Sequence, residues 1–467
     1  MVMAPLAPMA EAAADMPAGA TGVSPAAPAS ASIATVLQAP RFLFLVVGQT
    51  VSQLGDRLHH MALIALVGAA AASASGGLEL AKLSVAFTAP VVLFGPLAGA
   101  LVDRWDLRRT MVTCDALRAL LVATIPAAFA ATRHLWVVYA IASLVFLLGV
   151  FFNAAKMAFI PVLVPRAHLL PANAALAFVG RVATVAGVIG GGFLIGAPAW
   201  RRLGWTDYAA GFYLDAASYL VSVLTLLGLL ALSRRPTQAP GEVAPRPSAT
   251  PRPVRGPAEL LADVRRTLHI VRVDPMLRFV FRSQVTLALF ASTVYVVMTY
   301  AVQTLFGRGP AGVGVLAGVL GSGMIAGALL VGTVGRVWRT TAVIVRGTTL
   351  IGVLMLLAGV AFSEQVFVPV AFLGGLALAP VMVAQDTLLH QWAPAEARAL
   401  LFGTKDLVVA GVFMLSALSV GGVILLLGRV GMDDPYRLAL TGIGALIVLT
   451  GLARHPVASA PPAASGR

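Results

Sequence analysis

The chain is poor in charge. Of its 467 residues only 11% are Asp, Glu, Lys or Arg, while 59% are hydrophobic. Soluble proteins average about 25% charged residues, so a soluble core of ordinary size is excluded and a polytopic membrane protein is expected. Cysteine is nearly missing too. Cys114 stands alone, which excludes a disulfide framework and a thiolate metal cluster. No Gly-x-x-x-x-Gly-Lys-Ser/Thr loop occurs, which argues against an ATP-driven pump. Neither a nucleophilic triad nor a zinc motif is present, so no catalytic residue, metal or cofactor is expected. Acids are few, 19 against 33 Lys and Arg, for a formal net charge of +14. Such an excess can mark a nucleic-acid partner. Here the basic residues gather in loops between apolar runs, the pattern of cytoplasmic loops in a bilayer, and no nucleic acid is expected.

Residues 1–38 hold no Lys or Arg. A signal peptide needs a basic start before its apolar core, so this Ala/Pro/Ser-rich stretch reads as a disordered cytoplasmic tail. Residues 456–467 read the same way.

A spanning helix needs about 20 apolar residues. Twelve stretches qualify: 42–72, 80–102, 108–130, 135–158, 173–196, 210–232, 279–304, 313–335, 342–362, 367–390, 403–428 and 437–453. The expected fold is therefore all-α, twelve transmembrane helices in two six-helix bundles, 39–232 and 278–455. Between them, 233–277 opens with a Pro- and Arg-rich linker that cannot pack. It continues as "AELLADVRRTLHIVRVDP", where Leu260, Val264, Leu268 and Val271 recur at helical spacing opposite Asp263, Arg265, Arg266 and Arg272. That pattern predicts an amphipathic helix lying on the cytoplasmic surface. The basic turn at Arg104, Arg108 and Arg109 predicts both termini on the cytoplasmic side.

The halves echo each other. "RFLFLVVGQT" (41–50) opens the first span and "RFVFRSQVT" (278–286) the seventh. Pro165 after span four aligns with Pro394 after span ten. Both pairs are offset by about 230 residues, the mark of a parallel internal repeat.

Ionisable residues inside the spans are the candidate functional groups, because each costs a few kcal/mol at the bilayer centre. In "GQTVSQLGDRLHHMALIALVG" (48–68), Asp56 lies about 22 Å along the helix from Arg41, too deep for either interface. Arg181 in span five is also deep and needs a partner. Asp115 and Arg118 have the spacing of an intrahelical pair. Lys156 ends span four and is expected to reach up to the headgroups. Asp215 reads either as a packing acceptor or as a functional acid. Asp386 and His390 share a face near the end of span ten, as a solvated helix end or a proton relay. Asp56, His59 and His60 share a face as well, but two ligand types on one helix fall far short of a metal site.

The most specific stretch is "GPLAGALVDRWDLRRTM" (95–111). Gly99, Asp103, Arg104, Arg108 and Arg109 resemble the loop signature of the major facilitator superfamily. "VSQLGDRL", "CDALRALL", "FFNAAKMAFIPVLVP", "NAALA" and "FYLDAASYL" are similar, in order and placement, to its drug and siderophore exporters, the macrolide efflux and enterobactin branch. The resemblance covers roughly 41–453. Three departures stand out. Asp106 and Leu107 replace a Gly and a basic residue. The span-five motif reads Gly187-Val188-Ile189-Gly190-Gly191-Gly192 without its Pro. "GTVGRVWRT" in the second half has no Asp.

The resemblance implies a proton-driven secondary exporter of amphipathic small molecules in a bacterial-type inner membrane, acting as a monomer. It also implies that Asp103 meets the N-terminus of span eleven when the cytoplasmic side closes, where the helix dipole favours an anion. Spans one and five line the central cavity in that fold, so Asp56 is expected to face the cavity, with Arg181 or an anionic substrate as partner. Lipid or lysolipid transport is the first alternative. A non-transporting receptor or assembly factor on the same fold is the second.

Overall fold

The computed structural model describes residues 38–71, 75–165, 168–195, 197–202, 204–206, 208–233, 257–334, 339–394 and 397–453. Both expected tails apart from Gln38, and the Pro/Arg-rich part of the linker, lie outside these residues. Twelve long helices run through the described residues. They are α1 Pro40–Ala70, α2 Gly76–Val102, α3 Leu107–Thr132, α4 Leu135–Leu163, α5 Leu169–Ile195, α6 Ala209–Ser233, α7 Pro275–Leu305, α8 Gly309–Val334, α9 Thr340–Ala361, α10 Glu364–Trp392, α11 Arg398–Arg429 and α12 Pro435–Leu452. Eleven are long and apolar enough to cross a membrane; α1 is the twelfth, 31 residues long but diluted by its charged middle.

Local sequence explains several boundaries. Pro40, Pro275 and Pro435 stand in the first turns of their helices, where a missing N–H costs nothing. Asp274 caps α7 by accepting from the Met276 and Leu277 amides at 2.8 Å. Asp106, the departure from the loop signature, caps α3 by accepting from the Arg109 amide at 2.8 Å.

Most helix pairs recur in both halves, although α1 packs extensively on α6 while the corresponding contact of α7 with α12 is slight. α1 packs on α5, α2 on α4, and α3 on α4 and α6; α7 packs on α11, α8 on α10, and α9 on α10 and α12. The contacts between halves, α2 with α11 and α5 with α8, exchange under the same correspondence. The third and sixth helices of each half turn leucines outward: Leu120 on α3, Leu224 on α6, Leu357 on α9 and Leu449 on α12 are between 51% and 66% exposed. An apolar belt of this extent is a lipid-facing surface.

The linker helix, Pro257–Val273, forms over the residues whose spacing predicted it. It packs on α7 and α11, with Thr267 fully buried and Val271 at 7% exposure, while Arg265, Arg266 and Arg272 point away. The side chains of Leu260 and Asp263 lie outside the described residues.

Candidate functional site

The two halves meet at the Gly76 end. At the Gly76 end, Tyr300 stacks on Tyr436 at 4.8 Å, the Gly77 amide donates to the Tyr436 hydroxyl at 3.0 Å, and Gln303 Nε2 donates to the Ile64 carbonyl at 3.0 Å. A Cβ on Gly192 of α5 would sit 2.7 Å from the Pro310 carbonyl oxygen and 2.9 Å from the Gly314 Cα of α8. Close approach of this kind needs glycine on both helices. The glycine run of α5 thus keeps a packing role without its Pro: Gly187 and Gly191 face α1, and Gly192 faces α8. At the Asp103 end, Gly99 and Gly403 are exposed and a Cβ on either would meet nothing within 4 Å. α7 contributes to the closed end through two wide-turned π-helical segments, Val294–Met298 and Ala301–Leu305, a form frequent at functional sites.

A wall of rings crosses between the halves. His60 of α1, Phe87 of α2, Phe146 of α4, Tyr295 of α7 and Phe413 of α11 are linked by ring contacts of 5.2–6.1 Å. All five are partly exposed. The Tyr295 hydroxyl has no hydrogen-bond partner among the described residues.

Beside this wall, the first half holds a charge network. Arg118 of α3 is 8% exposed and is held from two sides: Nη2 lies 2.7 Å from Asp56 Oδ1 and Nη1 lies 3.2 Å from Asp115 Oδ1. Its guanidinium sits 4.1 Å from the Tyr219 ring centroid, and the Tyr219 hydroxyl donates to Asp56. Asp115 and Asp215 are fully buried, whereas the Asp56 side chain is 36% exposed, which makes Asp56 the acid of this network that solvent can reach. Asp215 of α6 faces His59 Nδ1 at 3.3 Å and accepts from Ser218 at 3.2 Å. Two ion pairs sharing one buried arginine offset a desolvation penalty that neither acid could offset alone.

Several expectations change. Asp56 is partnered by Arg118 and Tyr219; Arg181 lies on α5, but its side chain is outside the described residues. Asp56 points toward α3 and α6, to Arg118 and Tyr219, with 36% of its side chain exposed. Lys156 does not reach for headgroups: α4 continues two turns past it to Leu163, and its Nζ donates inward to Gln49 Oε1 at 3.0 Å. Asp56, His59 and His60 diverge, toward α3, toward Asp215, and across to Tyr295. Asp115–Arg118 is the intrahelical pair its spacing predicted.

The remaining candidates lie nearer the Asp103 end. Asp386 is half-exposed and pairs with Lys405 at 3.2 Å; the same lysine lies 3.3 Å from Asp406. His390 packs on the Phe402 ring. Asp103, Arg104 and Arg109 are exposed, and Arg108 lies over the Phe159 ring at 5.2 Å. Sequence reasoning missed Tyr219, Gln49, Tyr300, Gln303 and the ring wall. Arg57 was visible but carried no assignment; it is exposed, lies against Gly187, and has no acid within ion-pair distance among the described residues.

Two equivalent helical bundles, in contact at the Gly76 end and joined through a wall of rings, have the architecture of membrane transport proteins. The chain belongs to the Major Facilitator Superfamily, whose model matches residues 45–403. An uncharacterized MFS-type transporter, YfiS, of Bacillus subtilis (strain 168) is 29% identical over 185 residues, a match covering 40% of this chain and 41% of that relative. Among solved structures, the fold is similar to a bacterial homologue of the human lysosomal transporter Spinster in an inward-facing, unoccupied conformation (TM-score 0.61, 14% identity, 88% of this chain and 92% of that one). It is similar also to the nucleoside transporter NupG (0.60, 12%, 88% and 98%) and to a bacterial homologue of the iron transporter ferroportin in an inward-facing state (0.60, 14%, 89% and 99%).

Proposed function

We propose that the chain is a proton-coupled exporter of small amphipathic molecules, working as a monomer in a bacterial-type inner membrane with both termini cytoplasmic. The observation that carries this reading is Asp56, one third exposed, tied to Arg118, and one helical turn from His60 of the ring wall. Rings accept a flat apolar body, and an ionisable group at mid-depth accepts a proton or a cationic end. A carboxylate whose arginine contact changes with the transport cycle couples its proton affinity to conformation. The open Asp103 end then faces the cytoplasm, in keeping with its basic turn and with the inward-facing state named for two of the similar structures.

The test is uphill uptake of a lipophilic fluorescent dye by inside-out vesicles under an imposed proton gradient. Asp56→Asn leaves Arg118 paired with Asp115, so the variant should insert normally and lose uphill transport. Wild-type uphill transport by Asp56→Asn would refute the coupling role.

The loop signature fits a gate. Asp103 is exposed at the end of α2; α11 starts on the same side at Arg398, and Gly403 in its second turn is exposed with nothing within 4 Å of its Cβ position. A helix N-terminus and a nearby carboxylate attract by about 0.3–1 kcal/mol, released only when this end closes. Asp103→Asn should therefore shift the equilibrium several-fold toward the open Asp103 end and slow transport in proportion. Spin-label distances across that end, unchanged from wild type, would remove Asp103 from the gate.

A further inference from the structure

The second half encloses a cavity lined neither by Asp56 nor by any ring of the wall. It measures about 100 Å³ and lies between α7, α8, α9 and α10. Gly374 of α10 marks the same space independently: it is buried, yet a Cβ there would meet nothing within 4 Å. Phe290, Met298, Leu354 and Met355 form much of the wall, and Thr299 supplies its one side-chain hydroxyl. No charged residue lines the cavity among the described residues. A buried water needs two to four polar partners, so this space favours an apolar occupant. Val294 of α7 and Leu316, Ala317 and Leu320 of α8 are the partly exposed members of the lining, so the way in runs between α7 and α8.

Size and chemistry narrow the occupant. An apolar cavity of about 150 Å³ stays dry and binds benzene. This one is smaller, and Met298 and Met355, unbranched and flexible, can yield the difference. Methionine sulfur and the Phe290 ring both favour an aromatic partner. Two fused rings exceed the space. The cavity also backs onto the π-helical turn of α7, Val294–Met298. Val294 and Met298 line the cavity, Tyr295 between them joins the ring wall, and Tyr300 two residues on stacks on Tyr436 at the Gly76 end. A filled cavity leaves Val294 and Met298 no room to collapse inward.

We infer that this cavity binds one small, neutral, single-ring aromatic molecule, and that the occupant stiffens the π-helical turn of α7, which serves both the ring wall and the Gly76 end. A ligand acts on a conformational equilibrium only through its different affinity for the two states, and a state in which the cavity has collapsed offers it no place.

The test uses iodobenzene on the purified full chain. Anomalous diffraction from exposed crystals should place one iodine in the cavity, against Phe290 and Leu354; 1-iodonaphthalene should place none. Gly374→Leu puts a side chain into the space and should abolish the iodine site. Ala317→Leu, from α8, carries the test if that variant fails to fold. Hydrogen exchange followed by mass spectrometry reads the effect on α7. At ten times its dissociation constant, a ligand absent from the opened state slows exchange through that state about elevenfold. The amides of 294–300 should slow by that factor in wild type and keep their rate in the filled variant. No iodine in the cavity, equal binding of the two-ring compound, an iodine site that survives filling, or unchanged exchange at 294–300 in wild type would overturn the assignment.

Discussion

Arg118→Gln is expected to destabilise the first bundle by about 3–5 kcal/mol, the range for removing one partner of a buried ion pair. Asp115 is fully buried and has no other cation within 4 Å among the described residues. Without the guanidinium it must either stay charged in a low-dielectric interior or take up a proton. Asp56 suffers less, because a third of it is exposed. The double change Arg118→Gln with Asp115→Asn removes both buried charges and should recover most of the loss. Lysine should not rescue the site, since one ammonium cannot span two carboxylates in the guanidinium's fork geometry. Chemical unfolding in detergent micelles, compared across wild type, the single and the double variant, measures this. A single variant as stable as wild type would mean that Arg118 carries no structural load.

The second large effect is conformational. Gly192→Leu is expected to abolish the closed Gly76 end while leaving each bundle intact. The clash is with backbone, the Pro310 carbonyl and the Gly314 Cα, so rotamer changes cannot relieve it and the helices must part. Taking a two-state equilibrium from 1:99 to 99:1 needs about 5.5 kcal/mol. Inserting four extra carbons between two helix backbones supplies a penalty of about that order, above the 1–3 kcal/mol typical of side-chain overpacking. Cycling should stop. Spin labels at Arg133 and Val430, both at that end, should move apart by several ångströms, with the unfolding midpoint little changed. Unaltered label distances together with normal transport would show that α5 and α8 do not form the closure.

Composition and periodicity made much of the fold legible. Eleven of the twelve spans are visible because a bilayer forces long apolar runs, and α1 is visible because its apolar ends outlast its charged middle. Asp115–Arg118 was legible because i and i+3 fall on one helix face whatever surrounds the helix. Lys156 misled because α4 runs to Leu163: a lysine read as standing at a helix end, with headgroups in reach, stands two turns inside.

The sequence by itself determined the solvent this protein folds in, the number of its spans, its doubled arrangement, and which depths carry ionisable groups. Those properties follow from counting residues along one helix. Only the tertiary structure decided which groups meet. Asp56 and Arg118 are 62 residues apart, and nothing in linear spacing separates α3 from α5 as the wall that Asp56 faces; that depends on how α1 is rotated and what packs beside it. The ring wall draws on five helices, and the closed end on Tyr300, Gln303, Tyr436 and Gly192, ordinary residues until two bundles bring them together. A membrane constrains each helix through its own composition, but it leaves the helices' mutual orientation to packing between surfaces far apart in the chain.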